Sequence, residues 1–363
     1  MNKIDQYLKD ALSRSSSDLH FISGDPARVR IHGSLTVLSN DVLNIDAVKQ
    51  ALYEIMNGTM QRDFEQNDAV DFAYEIPEVS RFRVNVMRHL NGIGAVFRAI
   101  PSKALTLQDL DMPEVVHNLC KQEQGMILVT GKTGSGKSTT LAAMIDAINK
   151  RLKGHILTIE DPIEFVHKRQ GCLISQREVG LHSSSFAAAL HSALREDPDV
   201  ILVGELRDLE TISIAVTAAE MGILVMGTLH TNGAGPTVDR IVNSFPADKQ
   251  SHIRTMLSTS LRGVISQQLL PTKDNPGRVA ALEILINTSA VANLIRQGKL
   301  DQLETAMQAG GRTGMQTMDS ALMELVQQGR VSGQEAYQQA NNKQMFQSFR
   351  EDELSETSTQ STG

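Results

Sequence analysis

Residues 126–141 read Met-Ile-Leu-Val-Thr-Gly-Lys-Thr-Gly-Ser-Gly-Lys-Ser-Thr-Thr-Leu, and this stretch decides the fold. The apolar run that ends at Thr130 predicts a buried strand, and the helical spacing of apolar residues after Lys137 predicts a helix. Between them stands the pattern GxxxxGK[ST]. A glycine-rich turn from a strand into a helix N-terminus predicts a phosphate-binding loop, and therefore an α/β fold that binds a nucleotide.

Each residue type in this loop has a chemical reason to be there. Gly134 and Gly136 allow the backbone to turn its N–H groups inward around phosphate oxygens. Lys137 is placed to reach the β- and γ-phosphates of ATP, and Ser138 to bind Mg²⁺. The predicted contacts to ATP and Mg²⁺ are Gly131, Thr133, Gly134, Ser135, Gly136, Lys137, Ser138 and Thr139.

Acidic residues follow two further apolar runs. The run 156–159 is followed by three carboxylates within Glu160–Glu164, and a second run ends in Gly204 and Glu205. Hydrolysis of ATP needs one carboxylate that activates water and another that supports the metal. Gly204 stands where an Asp usually closes such a strand, so we predict that Glu205 acts on the metal side. The sequence therefore predicts an ATPase.

A histidine and three arginines complete the set of candidate residues. His230 follows the apolar run 223–229. A structural role, as a hydrogen-bonding side chain, and a role as a sensor of the γ-phosphate are about equally expected for this histidine. Residues 81–87 alternate polar and apolar, so Arg81 and Arg83 share one strand face, and Arg98 lies on a following strand. An arginine supplied by a neighbouring subunit can stabilise transition-state charge, which makes these three candidates for nucleotide binding.

The chain has 363 residues, enough for two or three domains. Residues 1–100 have the pattern of a small α+β unit, and 101–113 that of a linker bracketed by prolines. Residues 114–286 alternate strands and helices as in a mostly parallel sheet covered on both faces. Residues 287–350 have helical periodicity, and the Ser/Thr/Glu-rich segment 351–363 is predicted to be disordered.

The overall composition argues against several other classes of protein. A net charge of −7, no Trp and four Tyr give little support for nucleic acid as a partner. Two cysteines, Cys120 and Cys172, lie far apart, which argues against a structural zinc site and fits a reducing cytoplasm. No apolar stretch approaches the roughly 18 residues needed to span a bilayer, so we expect contact with a membrane only through a partner.

These motifs together resemble those of the secretion-type ATPases, and among them the type IV pilus retraction ATPases. The resemblance covers nearly the whole chain. The segments that carry it are 131–138, the acidic box 158–164, the strand 199–205 that ends in Gly-Glu, the histidine box ending at 228–232, 81–85, 176–180 and 314–319. The resemblance implies a RecA-like P-loop ATPase core, a smaller PAS-like α+β N-terminal domain and a helical C-terminal region.

The resemblance also implies roles and partners. Glu164 would activate the attacking water, and Glu205 would be the acid of the Walker B strand. The assembly would be a homohexameric ring, cytoplasmic and peripheral to the inner membrane, acting on a membrane platform protein of the pilus machinery. Two positions depart from the family pattern: Ile223 stands where a second histidine is usual, and Ala292 where an arginine is usual.

Other functions remain open at this stage. An accessory retraction paralogue fits the two departures. A pilus assembly or type II secretion ATPase is disfavoured, because its extra N-terminal domain and tetracysteine insertion have no counterpart here. A RecA-like DNA translocase would be expected to show basic or aromatic binding surfaces. A scaffold that binds nucleotide without hydrolysing it would not depend on Glu164.

Overall fold

The computed structural model describes residues 2–31, 33–100, 105–274 and 277–349. The chain divides into two units, one of residues 1–103 with 164–166, the other of residues 104–163 with 167–363. Part of the predicted linker, residues 101–104, and the predicted disordered tail 351–363 lie outside the described residues. Leu107 and Met112, from the rest of that linker, are buried in a core of the second unit.

The first unit has alternating strands that form an antiparallel sheet with helices against it. Its helices are α1 (Lys3–Ser13), α2 (Ile45–Ile55) and α3 (Gly58–Asn67). Its strands are β1 (Asp18–Ile22), β2 (Pro26–Ile31), β3 (Ser34–Val42), β4 (Ala69–Ile76), β5 (Ser80–His89) and β6 (Gly92–Ile100). Among the described residues the strand order is β3-β2-β1-β6-β5-β4. In β5, Phe82, Val84 and Val86 are buried while Arg83 is exposed, which confirms the predicted alternation.

The second unit is built on a mostly parallel sheet. Its strands are β7 (Gly125–Thr130), β8 (His155–Glu160), β9 (Leu173–Glu178), β10 (Val200–Val203), β11 (Leu224–Leu229), β12 (Leu261–Pro271) and β13 (Arg278–Ile286). The order in the described part of the sheet is β13-β12-β7-β11-β10-β8-β9, with only the β12–β13 pair antiparallel. The strand that enters the glycine-rich loop therefore has a neighbour on each side.

Helices cover both faces of this sheet. The helices of the second unit are α4 (Glu114–Leu119), α5 (Lys137–Arg151), α6 (Phe186–Ala193), α7 (Leu209–Glu220), α8 (Ala234–Asn243), α9 (Ala247–Ser260), α10 (Ser289–Gln297), α11 (Leu303–Ala309), α12 (Met318–Gln327) and α13 (Gly333–Gln339). Met126 packs in one hydrophobic core with α7 and α9, while Ile127 packs in another with α5. Because successive strand residues point to opposite faces, a doubly covered strand must be apolar throughout.

The C-terminal helices have a smaller core of their own against the end of the sheet. Met318, Leu322 and Leu325 of α12 pack there with Phe346, Leu270 and neighbouring apolar residues. Across the described residues, no helix is both long enough and apolar enough to cross a bilayer.

Candidate functional site

The glycine-rich loop connects β7 to α5, as the sequence predicts. Gly131, Gly134 and Gly136 have φ values of +139°, +80° and +89°, a backbone region that residues with a Cβ rarely adopt. A Cβ on Gly131 would lie 2.3 Å from the carbonyl oxygen of Gln267, and one on Gly136 would lie 2.8 Å from the Gln267 Nε2 atom. Glycine is therefore favoured at these two positions for two reasons: the positive φ of the turn and the close approach of Gln267 on β12.

Lys137 is buried, with 8% of its surface exposed. Its ammonium group donates hydrogen bonds to the carbonyl oxygens of Gly131 at 2.9 Å and Lys132 at 3.0 Å, and so lies along the inside of the loop. Helix α5 begins after Gly136 without a side-chain cap, so its first N–H groups are available to an anion. The buried Ser135 hydroxyl has no hydrogen-bond partner among the described residues. This donor set fits phosphate.

Gln267 supports the loop, and sequence reasoning missed it. It is 3% exposed, and its Oε1 atom accepts a hydrogen bond from the Thr140 hydroxyl at 2.8 Å. The two residues are 127 positions apart in the chain. No local pattern marks this contact, because it depends on β12 pairing with β7.

Glu205 and His230 lie at one edge of the sheet. Parallel strands place their carboxyl ends at the same edge, and β7, β11, β10 and β8 are consecutive. The Oε1 atom of Glu205, after β10, lies 2.6 Å from Arg207 Nε and 3.2 Å from His230 Nε2. The hydrogen bond from Arg207 to Glu205 raises the pKa of the guanidinium. Glu205 and His230 are thus brought together beside the P-loop strand.

The acidic box separates into residues with different surroundings. Glu160 is 9% exposed and accepts hydrogen bonds from the Thr158 hydroxyl at 2.6 Å and the Gln176 amide at 3.2 Å. Asp161 and Glu164 are exposed. Glu160 is therefore held in a structural hydrogen-bond network, while the Glu164 side chain is exposed to solvent.

Magnesium fits the residues at this edge. The described residues contain no cluster of three or more His, Cys, Asp or Glu side chains that could hold a metal ion unaided. Mg²⁺ commonly uses one or two carboxylates together with substrate phosphates and water. The exposed hydroxyl of Ser138 and the partly exposed carboxylate of Glu205 are of that kind.

Gly204 explains why this strand lacks the usual aspartate. A Cβ at this position would lie 3.1 Å from the carbonyl oxygen of Ile159 and 3.3 Å from the Cα of Glu160. The Gly204 N–H donates to that same carbonyl oxygen at 2.7 Å, so the two strands cannot separate without weakening the bond. The close approach of β8 and β10 therefore leaves little room for a Cβ at this position, and the acid follows one residue later.

We expect Gly204→Ala to lower the free energy of unfolding by about 1–3 kcal/mol, the usual cost of overpacking. Thermal unfolding with and without nucleotide measures it. Gly311→Ala is the matched control, because a Cβ there meets nothing within 4 Å. Equal melting temperatures for the two variants would contradict this account of Gly204.

The three candidate arginines lie on one face of the first unit's sheet. Arg83 and Arg98 are directly opposite each other across β5 and β6, and Arg81 is two residues along the same strand. Arg98 Nε lies 2.8 Å from the buried carboxylate of Asp18. Burial raises the pKa of Asp18, but hydrogen bonds from Ser17 and Arg98 outweigh it and leave the pKa below its ordinary value. The face therefore carries the three arginines together with acidic residues, Asp18 on β1 and Glu75, which lies opposite Arg81 on β4.

The two departures from the family pattern lie in ordinary packed positions. Ile223 immediately precedes β11 and is partly buried against the main core, and its carbonyl oxygen accepts the N–H of Gly125 at 3.1 Å. Ala292 is half-buried in α10. Neither contributes a side-chain hydrogen bond to the residues described above.

Comparison with known proteins gives consistent similarities. Residues 1–362 match the family model described as type II/IV secretion system protein. The chain is 50% identical to the type IV pilus retraction ATPase PilT of Pseudomonas aeruginosa, over 94% of this chain and 99% of that protein. It is 51% identical to a twitching motility protein of Neisseria gonorrhoeae, over 91% and 90% respectively. A crystal structure of the retraction motor PilT with bound ADP matches with a TM-score of 0.89, at 43% identity over 95% of this chain and 99% of that one.

The match to a solved retraction motor over nearly its full length confirms the predicted α/β fold. The resemblance to retraction ATPases, which rests on the motifs in seven short segments, is confirmed by the two relatives. The chain belongs to the type II/IV secretion system protein family.

Proposed function

We propose that this chain is a Mg²⁺-dependent ATPase that powers retraction of type IV pili. The observation that carries the proposal is the P-loop after β7, with its buried Lys137, beside the contact between His230, which follows the adjacent strand β11, and Glu205, which follows β10. Similarity over 99% of a pilus retraction ATPase supports the choice among ATPase functions.

The loop residues would bind the phosphates of ATP. Backbone N–H groups of residues 131–139 and the start of α5 would donate to the α- and β-phosphate oxygens, and the Lys137 ammonium would turn from its loop carbonyls toward the β- and γ-phosphates. Ser138 and Glu205 would hold Mg²⁺, which supplies charge neutralisation when bound.

Hydrolysis would need three further contributions from the protein. Glu164, an exposed carboxylate, would accept a proton from the attacking water. His230 would follow the γ-phosphate through its contact with Glu205. Arg81, Arg83 or Arg98 of a neighbouring copy would neutralise the charge that develops on the transferred phosphoryl group.

The arginine assignment requires more than one copy of the chain. We propose a homohexamer in which the arginine face of one copy serves the P-loop of the next, and in which ATP hydrolysis is coupled to inter-domain motion. The ring would work in the cytoplasm, at the inner membrane, on a platform protein of the pilus machinery. Sedimentation of the purified protein with ATP should give about six times the 39.7 kDa chain mass.

A deletion strain tests the pilus function. We expect long, non-retracting pili and loss of twitching motility, restored by the wild-type gene and not by Lys137→Ala. Absence of pili would assign the chain to pilus assembly instead. Normal retraction in the deletion strain, with a defect only under high load, would identify an accessory retraction ATPase. Strong stimulation of ATPase activity by single-stranded DNA would favour a DNA translocase.

A further inference from the structure

Glu283, a buried carboxylate on β13, connects the beginnings of two helices. It is 6% exposed. Its Oε1 atom accepts the Ala234 N–H, the first of α8, at 2.7 Å. Its Oε2 atom accepts the Met318 N–H, the first of α12, at 3.4 Å. The nucleotide-binding residues described above do not include it.

Helix α8 depends on the sheet for its N-terminal capping. Its N-cap residue is Gly233, which has no side chain to accept a hydrogen bond. The Ser266 hydroxyl accepts the Gly233 N–H at 2.8 Å, and Glu283 accepts the next one. Ser266 and Glu283 are direct partners in the register of β12 and β13. Two adjacent sheet residues therefore replace the missing cap. The carboxylate of Glu283 also stabilises the N-terminus of α8, because a negative charge interacts favourably with the positive end of the helix dipole.

The capped segment is the one that carries His230. His230 lies three residues before Gly233, and its Nε2 atom is 3.2 Å from the Glu205 carboxylate. The Thr231 and Thr237 hydroxyls are 2.7 Å apart, and the Thr237 hydroxyl donates to the Gly233 carbonyl oxygen at 2.6 Å. The loop is thus held to the first turn of α8, and a change in the start of that helix must move His230.

The other oxygen of Glu283 lies at an equally fixed point. The backbone of Gln316 exchanges two hydrogen bonds with Ile284, at 2.9 and 3.1 Å. The Gln316 side-chain amide donates to the Leu282 carbonyl oxygen at 2.7 Å. The segment before α12 is therefore bound to β13 on both sides of Glu283, and the C-terminal helices and the His230 loop share one anchor.

We propose that Glu283, assisted by Ser266, is a positioning residue that holds His230 against Glu205 and ties this loop to the C-terminal helices. The inference rests on the proposed ATPase function. Burial raises the pKa of Glu283 above its ordinary value, and nearby Glu304 and Asp319 raise it further, although the two backbone hydrogen bonds oppose this. Burying a carboxylate lowers stability unless its oxygens accept hydrogen bonds. The hydrogen bonds that Glu283 accepts from two backbone N–H groups offset this cost.

The test compares variants of the full-length chain in a steady-state ATPase assay. Glu283→Met keeps similar volume but accepts no hydrogen bond, and should lower kcat about tenfold with little change in KM, because the P-loop is untouched. Ser266→Ala, which removes the other cap, should lower kcat several-fold. Glu283→Gln keeps one acceptor and should recover much of the lost rate.

Asp319→Asn is the matched control. Asp319 is also 6% exposed and accepts hydrogen bonds from two backbone N–H groups, those of Asn341 and Asn342, both at 2.8 Å, and both of these donors lie outside α8. We expect this variant to have a lower melting temperature than the wild type and the same kcat. Ser266→Ala decides the question if Glu283→Met does not fold.

The possible results distinguish the positioning role of Glu283 from the proposed ATPase function. If the wild-type enzyme is active and the folded Glu283→Met and Ser266→Ala variants keep its kcat, only the positioning role is overturned. A kcat loss in Asp319→Asn as large as in these variants also overturns it, because a general loss of stability would then explain both. A wild-type chain without ATPase activity overturns the proposed function, and this inference with it.

Discussion

Replacing Lys137 with Ala is expected to abolish ATP hydrolysis and to weaken ATP binding by about 10- to 150-fold. Each charge-assisted hydrogen bond to a phosphate contributes about 1.5–3 kcal/mol, which sets the affinity range. Turnover should fall further, by about 10³-fold or more, because the ammonium also stabilises charge that develops during transfer. Titration with a fluorescent ATP analogue and a phosphate-release assay measure the two effects separately.

Lys132→Ala is the control for Lys137→Ala. Its side chain is exposed on the same loop, and its backbone carbonyl oxygen, which accepts a hydrogen bond from Lys137, is kept in the variant. We expect near-normal binding and turnover in this variant. If Lys137→Ala bound the analogue as tightly as the wild type, or if Lys132→Ala were equally impaired, the loop would not bind phosphate in the way proposed.

Replacing Glu164 with Gln is expected to lower ATP turnover by about 10²- to 10⁴-fold, the range typical for loss of a general base. ATP should still bind, because Gln has nearly the same volume and the P-loop does not change. Retention of ATP without turnover would show that Glu164 acts after binding. Single-turnover hydrolysis and equilibrium nucleotide binding are the required measurements.

Asp161→Asn tests whether the assignment within the acidic box is correct. Asp161 is exposed like Glu164 and lies three residues away in the same box. We expect a much smaller effect on turnover. A larger loss in Asp161→Asn than in Glu164→Gln would transfer the role of general base to Asp161. Wild-type turnover in both variants would show that neither carboxylate is the general base.

The sequence predicted the centre of the site because the relevant signals are local. A P-loop is a short backbone conformation between one strand and one helix, and its glycines and lysine are adjacent in the chain. The grouping of Glu205 and His230 was also predictable, since each follows an apolar strand and parallel strands end at one edge. In the structure, β8 and β10 are neighbours in the sheet.

Strands with weaker patterns escaped prediction. β3 is largely exposed, and β9 carries polar residues at most of its positions, so neither shows an apolar run. β12 and β13 contain such runs, but apolar runs of this length do not by themselves identify a strand. Their absence from the prediction also hid Gln267, Ser266 and Glu283, because these residues act only through the pairing of those strands.

The sequence by itself determined that this chain binds a nucleotide phosphate, because the P-loop requires only residues close together in the chain. Only the tertiary structure decided which distant residues support that loop and its neighbours. Gln267 lies against the P-loop and Glu283 caps α8 because β12 and β13 pair beside β7. The tertiary structure also distinguishes Glu160, which is buried and accepts two hydrogen bonds, from Glu164, which is exposed. Such contacts depend on strand order, and local periodicity carries no information about that order.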